Sequence, residues 1–202
     1  MKYKISQLAT VFQGSILTRI KSTSSTGVTS QTITMQELSY YCNQSDEIGS
    51  TNTILIDNER YKNCFFSQTG DVLVGLSSGN SMVIDQERSG KLVLSNFVII
   101  RINDFNKLDP YYLCWLLNES NDVRRQVNFL YQKTSRVVVI PISELKDIEV
   151  ECCDISKQRQ IGMTYNLTRR LVRIKRLKID VANKLVNHCL NNQINVNKGE
   201  IK

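Results

Sequence analysis

The sequence predicts an α+β (mixed α/β) chain: a domain with a twisted sheet and packed helices, then one long C-terminal coiled-coil helix. Short runs rich in β-branched and aromatic residues, punctuated by Gly, Asn, Asp and Ser, occupy residues 52–102. A strong helix signal stands at LDPYYLCWLLNES, residues 108–120. Both prolines, seven of nine glycines and every aromatic except Tyr165 precede residue 155, and helical periodicity then continues to about Asn191.

Taken in order, KISQLATVF (4–12) predicts a short helix with Ile5, Leu8 and Phe12 on one face. KSTSSTGVTSQ (21–31) reads as a polar loop. TNTILID and NCFFS read as strands around a turn at Asn58–Glu59. Gly70–Asp71 turns the chain into the strand DVLVGL, and SSGNS follows as an open loop. MVID and KLVLSNFVIIRI are further strands, parted by the charged turn QERSG. Asp109 is placed as an N-cap with Pro110 at the first helical position, and Tyr112, Leu113, Trp115, Leu116 and Leu117 bury that helix. A second helical stretch is expected around Val123–Phe129, then a polar YQKTSR, a short strand VVVIPI, and a turn and strand in SELKDIEVE.

From Asp154 the character changes. Residues 1–154 carry 15 basic against 17 acidic side chains, whereas residues 155–202 carry 11 against 2, so the net charge of +7 arises in the last quarter. The chain therefore divides into a domain at 1–153, a helix at 154–191 capped by Asp154 or Ser156, and a frayed tail at 192–202. At 1.5 Å per residue the helix is on the order of 50 Å long, which outreaches a domain with a radius of gyration of about 15 Å. On a heptad, Leu167, Leu171, Ile174, Val181 and Leu185 form the seam, with Lys178 and His188 as polar exceptions. Arg169, Arg173 and Arg176 fall on the opposite face, flanked by Arg170 and Lys175. The pattern favours a coiled coil with another segment or chain.

Composition excludes several classes. With 41% hydrophobic and 22% charged residues the chain can build a core. No run approaches the roughly 18–20 apolar residues of a membrane span. The six cysteines (42, 64, 114, 152, 153, 189) contain no C-x-x-C pair, and with His188 as the lone histidine no metal site is expected. Scattered thiols and the absence of a secretory leader predict reduced cysteines in a cytoplasmic protein.

No motif makes a convincing catalytic set. DPYY (109–112) resembles the Asp-Pro-Pro-Tyr of adenine methyltransferases, but lacks the second proline and an upstream glycine-rich loop for S-adenosylmethionine. Glu144 and Lys146 with Asp122 match a nuclease triplet that arises often by chance. GLSSGN (75–80) lacks the lysine of a phosphate-binding loop. His188 has no triad partners.

In order, GDVLVGLSSGN, LSNFVIIRIND, LDPYYLCWLLNES and ISELKDIEVECCDISKQRQI leading into a long helix resemble the specificity subunit of type I restriction–modification systems. That family has a Gly-Asp strand start, an FVVIR-like strand, an IDP-x-YL helix and a Gln-containing entry, matched here by Gln158, to its spacer helix. The likeness spans about residues 70–190. The family's subunit carries two recognition domains and two antiparallel spacer helices, so a chain with one of each is similar to a half-subunit.

The resemblance implies a non-catalytic subunit that reads half of a bipartite target in double-stranded DNA, as a homodimer or paired with another half-subunit. It has no cofactor of its own. S-adenosylmethionine is expected in a partner modification (methyltransferase) subunit, and a restriction subunit is a further partner. Loops of short polar and basic groups suit base reading: Arg19, Lys21 and Ser22; Ser77, Ser78 and Asn80; Arg88; and above all Gln132, Lys133, Thr134, Ser135 and Arg136. Arg169, Arg173 and Arg176 are expected to meet the modification subunit or DNA phosphates. The alternatives are a coiled-coil scaffold without DNA and a stand-alone adenine methyltransferase.

Overall fold

FVIIRI is apolar on both its odd and its even positions, so it needs cover on both faces; it forms the centre of the sheet. The computed structural model describes residues 1–22, 26–47, 49, 52–133 and 140–199, with the backbone alone at 131–133 and 192–199. The chain begins β1 (Lys2–Lys4), α1 (Ile5–Leu8), β2 (Ala9–Gln13), α2 (Leu17–Ile20), β3 (Val28–Thr32), α3 (Met35–Tyr41), β4 (Asn52–Ile56) and α4 (Asn58–Tyr61). It continues β5 (Val72–Gly75), β6 (Ser81–Val83), a 3-10 turn at Gln86–Arg88, β7 (Phe97–Ile102), α5 (Pro110–Glu119), α6 (Asn121–Lys133), α7 (Ile142–Lys146), β8 (Glu149–Glu151) and α8 (Ile155–Gly199).

The main sheet is antiparallel, in the order β2-β7-β5-β6. Val11, Val72, Val74, Val98, Ile100 and Ile102 cover one face against α5, α6, Leu145 and Ile148. Leu73, Phe97 and Ile99 pack on the other face against Ile33, Leu38 and Cys42 at α3. A second pair, β1 with β8, ties the first residues to the last strand before α8, with Tyr3 opposite Val150.

Four expectations are corrected. The opening helix stops after one turn, because Ala9 and Val11 pair with Ile102 and Ile100 and point into the core, so 9–13 is strand. Part of the polar run 21–31 is also strand: β3 pairs with β4 through Thr29↔Leu55, and Ser30 and Thr32 are buried. NCFFS is no strand, since only Phe66 bridges to Leu92, and Asn58–Tyr61 makes a helical turn. The last helix does not fray at Asn191 but runs to Gly199, about 68 Å. Of VVVIPI, residues 137–139 lie outside the described residues; Ile140 donates its N–H to Leu76 O at 3.2 Å, and Ile142 opens α7.

The family-like motifs prove to be structural. Asp71, 2% exposed, accepts from Arg101 Nε and Nη2 at 2.8 Å each and from Gln68 N at 2.7 Å, which locks Gly-Asp to the FVIIR strand. Gly70 takes φ +88, a left-handed turn that favours glycine. Asp109 Oδ1 caps α5 by accepting from Tyr112 N at 2.9 Å, and Tyr112 OH donates to Glu151 O at 2.8 Å. Gln158, 1% exposed, accepts from Asp109 N and donates to Lys107 O and Cys153 O, so it fixes where α8 departs.

Candidate nucleic-acid interface

Strand pairing decides which loops meet. Gln13 ends β2 opposite Val98, and Gly75 ends β5 opposite Phe97, so the β2–α2 link and the β5–β6 loop leave the same end of the sheet. Two of the sequence-selected regions, the one that follows β2 and the β5–β6 loop, are thus carried from the same end of the sheet.

Arg19 lies exposed on α2, and Lys21, also exposed, follows as its C-cap. Lys21 bridges to Ile56 and Ser22 N donates to Leu55 O at 3.0 Å, which places this turn beside the end of β4. The Arg19 carbonyl accepts from Arg60 Nη1, so Arg60, with exposed Lys62 two residues on, enlarges the basic edge. The sequence offered no signal for these two, because their nearness to Arg19 comes from the β3–β4 pairing. Asp57 and Glu59 moderate the charge there.

The β5–β6 loop is tighter than the open loop expected. Gly79 N returns to Gly75 O at 2.8 Å, Ser78 Oγ accepts from Asn80 N at 3.3 Å, and Asn80 Nδ2 donates to Gln44 Oε1 at 2.8 Å. Ser77 is the exposed member. Gln132 and Lys133 end α6 with their side chains undescribed, and Thr134, Ser135 and Arg136 lie outside the described residues.

Arg88 does not belong to this interface. It follows β6 at the opposite end of the sheet and is 6% exposed. Its Nε donates to Glu37 Oε1 at 3.0 Å, Nη1 pairs with Asp85, and the guanidinium lies 3.8 Å from the Tyr41 ring centre. Burial lowers its pKa against the opposing pull of Glu37. An arginine held in this way stabilises the interior and has no path to a base edge.

The long helix has two unlike faces. Gly162 lets it press onto α5: a Cβ there would lie 2.6 Å from Asp109 Oδ1 and 2.7 Å from Tyr112 N. Along the same face Arg169 pairs with Glu119 at 3.3 Å and with Tyr165 OH, and Arg173 Nη1 donates to Tyr41 O at 3.1 Å. Arg176 Nη1 donates to Asn43 O. The arginines expected on an outer face therefore turn toward their own domain, where Arg173 and Arg176 cap carbonyls at the end of α3. On the other side Leu167, Leu171, Ile174, Val181 and Leu185 are all 43–60% exposed. A continuous apolar stripe of this kind at heptad spacing is a packing surface.

Among the described residues, no three His, Cys, Asp or Glu side chains gather as a metal site, and no helix is long and apolar enough to cross a membrane. All six cysteines are unbridged. Asp122 pairs with Arg125 at 2.6 Å on α6.

No family model and no curated protein matches the chain. Solved structures do. A chain from a type I R-M system matches with a TM-score of 0.62 at 12% identity, over 91% of this chain and 46% of its own length. The HsdS subunit from Thermoanaerobacter tengcongensis matches with a TM-score of 0.61 at 13% identity, over 91% and 46%. The type I restriction–modification S subunit from M. genitalium matches with a TM-score of 0.59 at 16% identity, over 93% and 44%. The chain has the fold of these specificity subunits and spans about half the length of the structures it matches.

Proposed function

We propose that this chain is a non-catalytic DNA-specificity subunit of a type I restriction–modification complex, reading one half of a bipartite target and dimerising through α8. What carries the reading is the near-complete fold match to one half of longer S-subunit chains. The exposed seam of α8 supports it, because a half that ends in an unpaired apolar helix is completed by a second helix. The segments that leave the Gln13 and Gly75 end of the sheet carry exposed Arg19, Lys21 and Ser77, suited to phosphates and base edges. The modification subunit supplies S-adenosylmethionine and the methyl transfer, and a restriction subunit joins where unmodified DNA is cut.

The deciding experiment is genome-wide mapping of modified adenines in the host, with and without this gene, together with affinity purification of its product. An interrupted motif that loses methylation on deletion, with a methyltransferase co-purifying, is the expected result. An unchanged methylation pattern would sink the proposal.

A further inference from the structure

The cleft between α8 and the wall formed by α3, β6 and α5 gathers arginines and tyrosines. It encloses about 650 Å³, within the range of small-ligand sites. Arg88, Arg169, Arg170 and Arg173 line it, together with Tyr40 and Tyr41. Glu37 and Asp85 neutralise Arg88, and Glu119 neutralises Arg169. Arg170 and Arg173 have no carboxylate partner among the described residues; Arg173 directs one donor to the Tyr41 carbonyl at 3.1 Å and keeps the rest of its fork. Arg169 Nε is buried without an acceptor. The Tyr41 ring carries Arg88 at 3.8 Å and Arg173 at 4.8 Å, so two guanidinium groups crowd one aromatic ring. Burial lowers the Arg173 pKa, Tyr40 opposes that shift, and the neighbouring Arg169 and Arg170 add to it. Of the two acidic residues in the lining, Asp85 is taken by Arg88, and Glu87 is exposed.

We propose that this cleft binds a nucleotide-sized, phosphate-bearing ligand: Arg170 and Arg173 grip the phosphoryl oxygens, and Tyr40 offers a face to the planar base. Planar guanidinium forks match phosphate oxygens in pairs, and a dianion here relieves the crowded positive charge. Because these arginines sit on α8 and the facing wall on the domain, the bound ligand bridges the two and stiffens the angle at which the helix leaves.

The test titrates the full chain with ATP and with pyrophosphate by calorimetry, beside a parallel titration with a non-specific DNA duplex. Arg170→Gln removes a guanidinium without an ion-pair partner among the described residues. Lys175→Gln removes the same charge outside the cleft. Saturable binding of both ligands is expected, weakened about tenfold or more by R170Q and unchanged by K175Q, with a raised melting temperature in the wild type on adding ATP. R173Q, checked for folding by circular dichroism, should give the same loss. The proposal fails if neither ligand saturates at millimolar concentration, or if K175Q weakens binding as much as R170Q does. It also fails if R170Q weakens only the duplex, which would assign these arginines to the DNA backbone.

Discussion

At the scale of single residues, the buried ionic groups hold the domain together. Asp71 has three donors and almost no solvent, so Asp71→Ala strands the Arg101 fork beneath the Phe66 carbonyl. Removing one partner of such a pair costs about 3–5 kcal/mol when both are fully buried. Arg101 is about a third exposed, so we expect about 3 kcal/mol by urea denaturation; a change under about 0.5 kcal/mol, the size of an ordinary surface substitution, would remove Asp71 from its structural role. Thiol chemistry gives a second residue-level prediction. Burial pushes the Cys114 thiol up to about 12, whereas Cys189 is exposed on α8. In native protein at pH 8, Cys189 should label readily and Cys114 only as the domain unfolds, read out by mass spectrometry of the labelled peptides. Equal labelling rates would contradict the burial of Cys114.

At the scale of elements, some pieces were legible in sequence and others were not, for identifiable reasons. FVIIRI and the α5 segment declare themselves, because burial on both faces or a Asp-Pro start with an apolar run leaves a local mark. VTSQT leaves none. Its strand state comes from pairing with β4, which buries Ser30 and Thr32 that read locally as loop. Periodicity separated the arginine face of α8 from its leucine face, but could not say which one meets the domain. Gly162 and Gln158 decide that, by contacts with residues about fifty positions away. Gly162→Ala should therefore push α8 off α5 and cost about 1–3 kcal/mol, the range for overpacking, seen as a lower denaturation midpoint with the sheet intact. On the opposite face, Leu171→Asp with Ile174→Asp should leave the domain folded and give a monomer by light scattering. A persistent dimer in that variant would refute the seam.

At the scale of the whole molecule, charge and shape divide the work. The first 154 residues carry a slight acidic excess, and three arginines of the basic helix are turned onto their own domain, which reduces the positive charge open to DNA from one copy. Phosphate neutralisation supplies most non-specific affinity and makes it fall steeply with salt. The lone protein should accordingly bind duplex DNA weakly, with a shallow dependence on salt, and more tightly once the modification subunit adds its own surface. Dimerisation should matter as much as charge. On the proposed reading, two identical halves related by a twofold axis would present the same loops to each half-site, so the recognised sequence should be a symmetric interrupted repeat whose spacing is set by the helix pair. Lengthening α8 by one heptad inside its seam, after Val181 and beyond the contacts of Arg173 and Arg176, keeps the heptad phase and moves the two domains apart by about 10 Å at 1.5 Å per residue. The half-sites should stay the same while the unread gap grows by about 3 base pairs, at 3.4 Å per base pair, as read by methylation mapping. A gap that does not move would separate the helix from target spacing and leave it a docking role alone.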